Sequence, residues 1–378
     1  VGAGFSYAGY MLHFKGDDGR FDRSTERQQP LSAFTLGVAG SLDADRESFF
    51  NRIALGLGLF FPARQIVGAE AQTGPGRPEF FLYGARRDKV GILPAVALRI
   101  LPIGGIDQTL AIGAGATILA DINGDFTFNL ATAPASSVST KLKLTYDVAP
   151  NVGIFWWPAD WLSLGATYRG ALGLKAQFDV VIDLDGDGVS DFPLDLEAIT
   201  LYQPQQVAVG FAVDPAPWLT LALDVTWYNW SKFEDPFITI EPIVGQTDPN
   251  FKDIFVPRVG IELEPLGGLA LRAGYFYEPS PVPKQDGKTT LVDNDKHVIS
   301  FGVGWTYVTT EDRYRREEEE VKVEKVEARP FSIDLFFQWH HFVEQKVEKD
   351  DPSTSPVGAS FRAGGDIFNG GFQVTLRF

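Results

Sequence analysis

The stretch Asp183-Leu184-Asp185-Gly186-Asp187-Gly188-Val189-Ser190-Asp191 comes closest in this chain to a recognised chemistry by residue type and spacing. Carboxylates at positions one, three, five and nine, with glycine at six, form the first half of a calcium loop. Hard oxygen ligands at such spacing wrap a Ca2+ ion, and the glycine permits the sharp turn. Position twelve is Leu194 rather than glutamate, which excludes a complete EF-hand. We expect Asp183, Asp185, Asp187 and Asp191 to hold a Ca2+ ion that stiffens a loop; the alternative is an acidic turn without metal. Of the four histidines, His340 and His341 are adjacent and cannot share a strand face. Asp334 and His340 share a face but stand far apart along it. No nucleophile elbow or phosphate loop is present, so we expect no catalysis and no required cofactor.

Composition narrows the class. The net charge of −16 argues against a nucleic-acid partner. There is no cysteine, which removes thiolate metal sites and thiol nucleophiles and suits passage through an oxidising compartment. The mean hydropathy of −0.04 resembles that of a soluble protein. Yet 44% of the residues are hydrophobic, and no apolar run reaches the ~20 residues of a spanning helix. A transmembrane barrel reconciles these facts, because alternation hides an apolar belt in the average. The chain begins at Val1 rather than Met, which we read as a processed or trimmed chain.

The elements that must carry any site are strands. Leu219, Leu221, Leu223, Val225 and Trp227 alternate with Thr220, Ala222, Asp224 and Thr226. The same period of two runs through Ile53, Leu55, Leu57, Leu59 and Phe61, and through Ile299, Phe301, Val303, Trp305 and Tyr307. About fourteen such segments follow: 2–14, 31–42, 50–61, 90–100, 108–122, 140–156, 162–181, 203–214, 218–233, 256–264, 269–277, 296–307, 331–343 and 369–378. Their connections alternate between short (43–48, 101–106, 158–161, 215–217, 265–268) and long (15–30, 62–89, 123–139, 182–202, 234–255, 278–295, 344–368). That asymmetry matches short periplasmic turns and long outer loops. One connection departs from it: residues 308–330 form a long, charged periplasmic insertion, read as a solvated extension or as a dock for a periplasmic partner. A soluble β-sandwich would alternate too, but its outward faces need charge. Here the faces between the apolar stripes are mostly Gly, Ala, Ser and Thr. We expect a single all-β domain over residues 1–378, a transmembrane antiparallel β-barrel of about fourteen strands.

In that register Ala54, Gly56, Gly58, Gly210, Gly302 and Gly304 face inward and leave much of the lumen wall uncharged. Phe60, Phe276 and Phe336 also face inward and suit an apolar solute. Arg169 and Arg272 point inward too. Either could grip a carboxylate head group, or form an internal ion pair with Asp224, Glu262 or Asp334. The third strand carries Gly56 and Gly58 and ends at Pro62. These residues make lumen space or permit a local opening of the wall.

From residue 202 onward the chain resembles a known family. Pro204-Gln205-Gln206-Val207-Ala208-Val209-Gly210, then Trp230-Ser231-Lys232-Phe233, then Leu271-Arg272-Ala273-Gly274-Tyr275-Phe276-Tyr277-Glu278-Pro279-Ser280-Pro281-Val282-Pro283 are similar to the FadL-type long-chain fatty-acid transporters. Val292-Asp293-Asn294-Asp295-Lys296 and Leu164-Gly165-Ala166-Thr167-Tyr168-Arg169 add to the likeness. The resemblance implies a monomeric fourteen-stranded barrel, integral to the outer membrane of a Gram-negative-type envelope and in contact with its lipids and lipopolysaccharide. It implies uptake of hydrophobic small molecules, long-chain fatty acids foremost: outer loops capture the solute, an apolar lumen carries it, and the wall opens near strand three. A general porin or an adhesive barrel is the alternative. The terminal Phe378 resembles the signal read by the barrel assembly machinery. The family's N-terminal hatch, with its Asn-Pro-Ala element, has no counterpart in residues 1–378: either it was lost in trimming or this member lacks one.

Overall fold

In the computed structural model, residues 1–17, 22–23, 30–43, 50–63, 80, 82–83, 89–100, 109–119, 123–129, 137–145, 148–183, 192–234, 239–241, 249–287, 289–317, 320–353 and 358–378 are described. Fourteen strands close an antiparallel barrel. In chain order they are β1 Gly2–Gly16, β2 Leu31–Asp43, β3 Phe50–Pro62, β4 Gly91–Ile100, β5 Thr109–Leu119, β6 Val148–Ala159 and β7 Leu162–Arg169. There follow β8 Gln206–Ala216, β9 Leu219–Tyr228, β10 Ile254–Leu266, β11 Leu269–Glu278, β12 Lys296–Glu317, β13 Glu320–Glu348 and β14 Ser360–Leu376. Each pairs with its neighbours in sequence, and β1 closes the ring by pairing with both β2 and β14. No sheet edge is then left in the barrel wall, which is what a bilayer demands of a β-structure.

The two faces are chemically distinct. Outward side chains such as Leu36, Leu55, Val209, Val259, Phe301 and Leu335 are exposed large apolar groups, in a belt far beyond what a soluble surface tolerates. Inward positions hold small and polar residues. The register places Ala54, Gly56 and Gly58 beside Ala97, Ala95 and Leu93 on one side, and beside Ser41, Ala39 and Gly37 on the other.

Five further strands form a second sheet that continues the wall from β5 to β9 beyond the barrel: Asn123–Asn129, Ser137–Thr145, Leu172–Asp183, Phe192–Gln203 and Thr239–Glu241. Residues 123–139 and 182–202, expected as loops, therefore contribute strands. The expected segments 140–156 and 162–181 are each divided between two sheets. The chain steps from one sheet to the other near Gly170 and at Pro204, which has no N–H to continue a ladder. The charged insertion 308–330 is also paired: Thr309 to Glu317 run antiparallel to Ala328 to Glu320, so β12 and β13 project as one ribbon past the end of the barrel that carries the short turns.

Candidate functional site

The lumen wall formed by β9 to β13 carries a polar network set into an apolar cavity. On β10, Arg258 donates to Asp224 (3.1 Å), Thr226 (2.6 Å) and the Tyr228 hydroxyl (2.9 Å), all on β9. Its guanidinium lies 5.2 Å above the Phe276 ring. On β11, Arg272 donates Nε to Glu262 and Nη1 to Asp334, the latter at 2.8 Å. These contacts follow from register: Asp224 is the cross-strand partner of Arg258, and Glu262 of Arg272. Gly304, which pairs with Asp334, makes room for them, since a Cβ there would come within 2.7 Å of Arg272 Nη1.

Around this network lies a cavity of about 590 Å³ lined by Ala222, Gly260, Gly274, Phe276, Gly302 and Phe336, among others. The network's three carboxylates and two guanidinium groups leave one net negative charge. Of the residues expected to contact a solute, Phe276, Phe336 and Arg272 line this cavity together. Phe60 faces the lumen from β3 beside Thr35 and Gly91, and Arg169 faces it at the end of β7 beside Asn151 and Gln206. Neither lines that cavity. Arg272 takes the ion-pair alternative with two of the three carboxylates named for it. Arg258 was missed, although its place four residues before Glu262 puts it in the same inward phase. A second cavity, of about 570 Å³, lies against β3 to β6 and is lined by Arg52, Ala54, Ala97, Arg99, Ala111, Trp157 and Asp160.

Two buried clusters lie at the end of the barrel that carries the long connections. Phe80 and Tyr83 pack with Leu12, Phe14, Phe342, Phe361 and Ile367, while Trp230, Phe233, Phe251, Ile254, Val256 and Leu291 form a second buried cluster. Lys296, only 3% exposed, links the segments: its ammonium donates to the Tyr83 hydroxyl (2.8 Å) and meets Glu278 (2.9 Å) and Asp293 (3.5 Å). Burial pushes the Asp293 carboxyl up to about 6, and the nearby Glu278 charge adds to this, while Lys296 opposes it. Asn294 donates to the carbonyls of Val343 and Ala363, each at 2.7 Å. Those carbonyls flank a bulge between β13 and β14, and Gly365 at φ +130° sits in the same distortion. The Asn294 side chain thus supplies donors that the distorted ladder lacks.

Near strand three the ladder is irregular in two places among the described residues, at Phe50–Arg52 on β3 and between β4 and β5. Gly56, Gly58 and Pro62 of β3 all pair with β2, and the β3–β4 rungs run unbroken from Arg52 to Phe60. Between β4 and β5, however, pairing skips from Ile92–Ile118 to Ala95–Gly115, which leaves out Leu93 and Pro94. Pro94 has no N–H to donate, and on the other side of β5 Ala116 is paired with Pro150. Residues 184–191 of the Asp-rich stretch, 44–49 and 101–108 lie outside the described residues.

Comparison with known proteins follows this geometry. Alkane uptake protein A of Marinobacter nauticus is 29% identical over 194 residues, 49% of this chain and 38% of that protein, so the chain spans well under half of that relative's length. Among solved structures, a Pseudomonas aeruginosa FadL homologue aligns with a TM-score of 0.56 at 15% identity, over 99% of this chain and 88% of that one. The Pseudomonas putida toluene transporter TodX aligns with a TM-score of 0.55 at 15% identity, over 100% of this chain and 89% of that one. At such identity these two likenesses speak to the fold, and both are consistent with the closed barrel. The model of the outer membrane protein transport family (OMPP1/FadL/TodX) matches residues 102–313, more than half of the sequence, and the chain belongs to that family.

Proposed function

We propose that this barrel is integral to the outer membrane and takes up hydrophobic small molecules through its lumen. The observation that carries the reading is the roughly 590 Å³ cavity in which Phe276, Phe336 and glycine-lined wall surround arginines already held by carboxylates. Long-chain fatty acids, the substrate implied by the resemblance, fit its apolar part through their tails. The network's net negative charge disfavours an ionised carboxylate beside Arg272, so uncharged chains such as alkanes suit the cavity better. The alkane-uptake relative supports the same preference. The protein then acts as a passive conduit and not as an enzyme.

Exit is proposed sideways through the wall near strand three. Opening a ladder in lipid is costly where N–H groups lose their partners. The β4–β5 seam at Pro94, one strand along from Gly56 and Gly58, already lacks such a donor. Arg169 and Phe60 then line the path beyond the cavity. Assembly as a monomer by the barrel assembly machinery, through the strand ending in Phe378, is proposed on the terminal pattern. Calcium at Asp183, Asp185, Asp187 and Asp191 rests on their spacing, and a calcium-dependent rise in melting temperature that is lost in Asp185→Asn would support it.

The test of function is titration of the purified barrel with a long-chain alkane and with the matching fatty acid. Saturable alkane binding, weakened at least tenfold by Phe276→Asp, is expected. Absence of saturable binding by either molecule, with a large steady ion conductance, would replace this reading with a general porin.

A further inference from the structure

The register sets two histidines side by side on the outward face of the barrel. His297 on β12 is the cross-strand partner of His341 on β13. Both are exposed, while their chain neighbours Lys296, Val298 and Phe342 are buried. Side chains directly opposite each other on an antiparallel pair have Cβ atoms about 5 Å apart. Along β12 from His297, the outward positions Phe301, Val303, Trp305 and Tyr307 are exposed and apolar or aromatic. The pair therefore stands at the rim of the lipid-facing belt on the side of the long connections. Tyr275 and Trp339 flank it there as part of an aromatic girdle, where water reaches the wall.

Each imidazole is held from its far side. His297 Nδ1 lies 2.8 Å from the hydroxyl of Tyr275, on β11. His341 Nδ1 lies 3.0 Å from the carboxylate of Asp366, on β14, which also accepts from Trp339 Nε1 at 2.8 Å. In an imidazole, Nδ1 and Nε2 sit on opposite edges of the ring. Anchoring one Nδ1 toward β11 and the other toward β14 therefore turns both Nε2 edges into the gap between β12 and β13. Neither Nε2 has a hydrogen-bond partner among the described residues. With Nδ1–H given to Asp366, the lone pair of a neutral His341 is on Nε2; Tyr275 can accept from His297 in the same way. An acceptor behind Nδ1 and a bare Nε2 in front is how metal-binding histidines are oriented. Packing in the girdle accounts for the aromatic neighbours, but not for two Nε2 edges turned into one gap.

We infer that His297 and His341 bind one divalent transition-metal ion, Zn2+ or Cu2+, through their Nε2 atoms, with water completing the coordination. Asp366 and Tyr275 are positioning residues behind the two ligands. The ion ties β12 to β13 at the rim of the belt. The inference does not rest on what the lumen carries.

The experiment is calorimetric titration of the full chain in detergent, free of any histidine tag, with Zn2+ in the presence of excess Ca2+ to fill hard-oxygen sites. One Zn2+ should bind per barrel. His297→Gln and His341→Gln should each weaken it about a hundredfold, and Asp366→Asn about tenfold, since losing a ligand costs more than losing its support. His13→Gln, whose ring meets Glu344 elsewhere on the wall, should leave it unchanged. Electron paramagnetic resonance of the Cu2+-loaded chain should report two imidazole nitrogens in wild type and one in either histidine variant, a readout that general destabilisation does not produce. Alkane binding in the lumen, read on the same samples, should not change. No saturable Zn2+ binding, equal binding in His297→Gln, displacement of Zn2+ by Ca2+, or a Cu2+ spectrum unaltered in both histidine variants would each overturn the proposal.

Discussion

Replacing Glu262 by Gln and Asp334 by Asn together should turn the lumen into a site that also accepts a carboxylate. In the wild type the network of Asp224, Glu262, Asp334, Arg258 and Arg272 carries one net negative charge, and both donors of Arg272 seen here go to carboxylates. The double substitution removes two negative charges, leaves a net charge of plus one, and keeps side chains of the same shape. A hydrogen bond to a charged partner contributes about 1.5–3 kcal/mol. Arg272, Glu262 and Asp334 are 43%, 32% and 39% exposed, so solvent and salt screen the gain towards its lower end. About 1.5 kcal/mol corresponds to roughly tenfold tighter binding of a long-chain carboxylate. The assay is displacement of a bound fluorescent hydrocarbon, at low and at high salt. The carboxylate should gain about tenfold at low salt and less at high salt, and the matching alkane should change less than twofold. If wild type already binds the ionised fatty acid as tightly as the alkane, and the variant changes neither, the charge argument for an uncharged solute is refuted.

Two further outcomes are expected. Pro94→Ala restores an N–H at the β4–β5 seam, so cellular uptake of an alkane should slow severalfold while equilibrium binding by the purified barrel is unchanged; an unaltered uptake rate would place the exit elsewhere. Burial, opposed by Lys296 and helped by the Glu278 charge, raises the Asp293 carboxyl from 3.8 to about 6. The folded state therefore prefers the protonated form of Asp293. That contribution is complete below about pH 4 and is lost as pH rises through about 6, on the order of 2–3 kcal/mol in all. Hydrogen exchange of residues 289–295, corrected for intrinsic rates, should be slower at pH 4.5 than at pH 7.5 in wild type and alike at both in Asp293→Asn.

Much of this molecule could be read from local pattern. Period-two alternation assigns each residue a face without knowledge of its neighbours, so Phe276, Phe336 and Arg272 were placed in the lumen from the sequence, and fourteen apolar stripes indicated a closed barrel of that size. The partners of Arg272 were legible as candidates because Glu262 and Asp334 lie on inward phases of nearby strands. Alternation is blind, however, to where one sheet ends and another begins. Residues 140–145 and 172–181 keep the barrel's period while pairing in a separate sheet, and the ribbon formed by residues 309–328 pairs well past the apolar belt. It is equally blind to the connections. That Tyr83 reaches Lys296 across 213 positions, or that Asn294 caps the carbonyls of a bulge 49 and 69 residues away, depends on which strands the closed ring brings together. Leu12 and Phe14 share a buried cluster with Phe342 and Phe361 only because the first strand and the last two are neighbours. A side chain's face is set by backbone geometry within a few residues, but its company is set by ring closure, which joins the two ends of the chain.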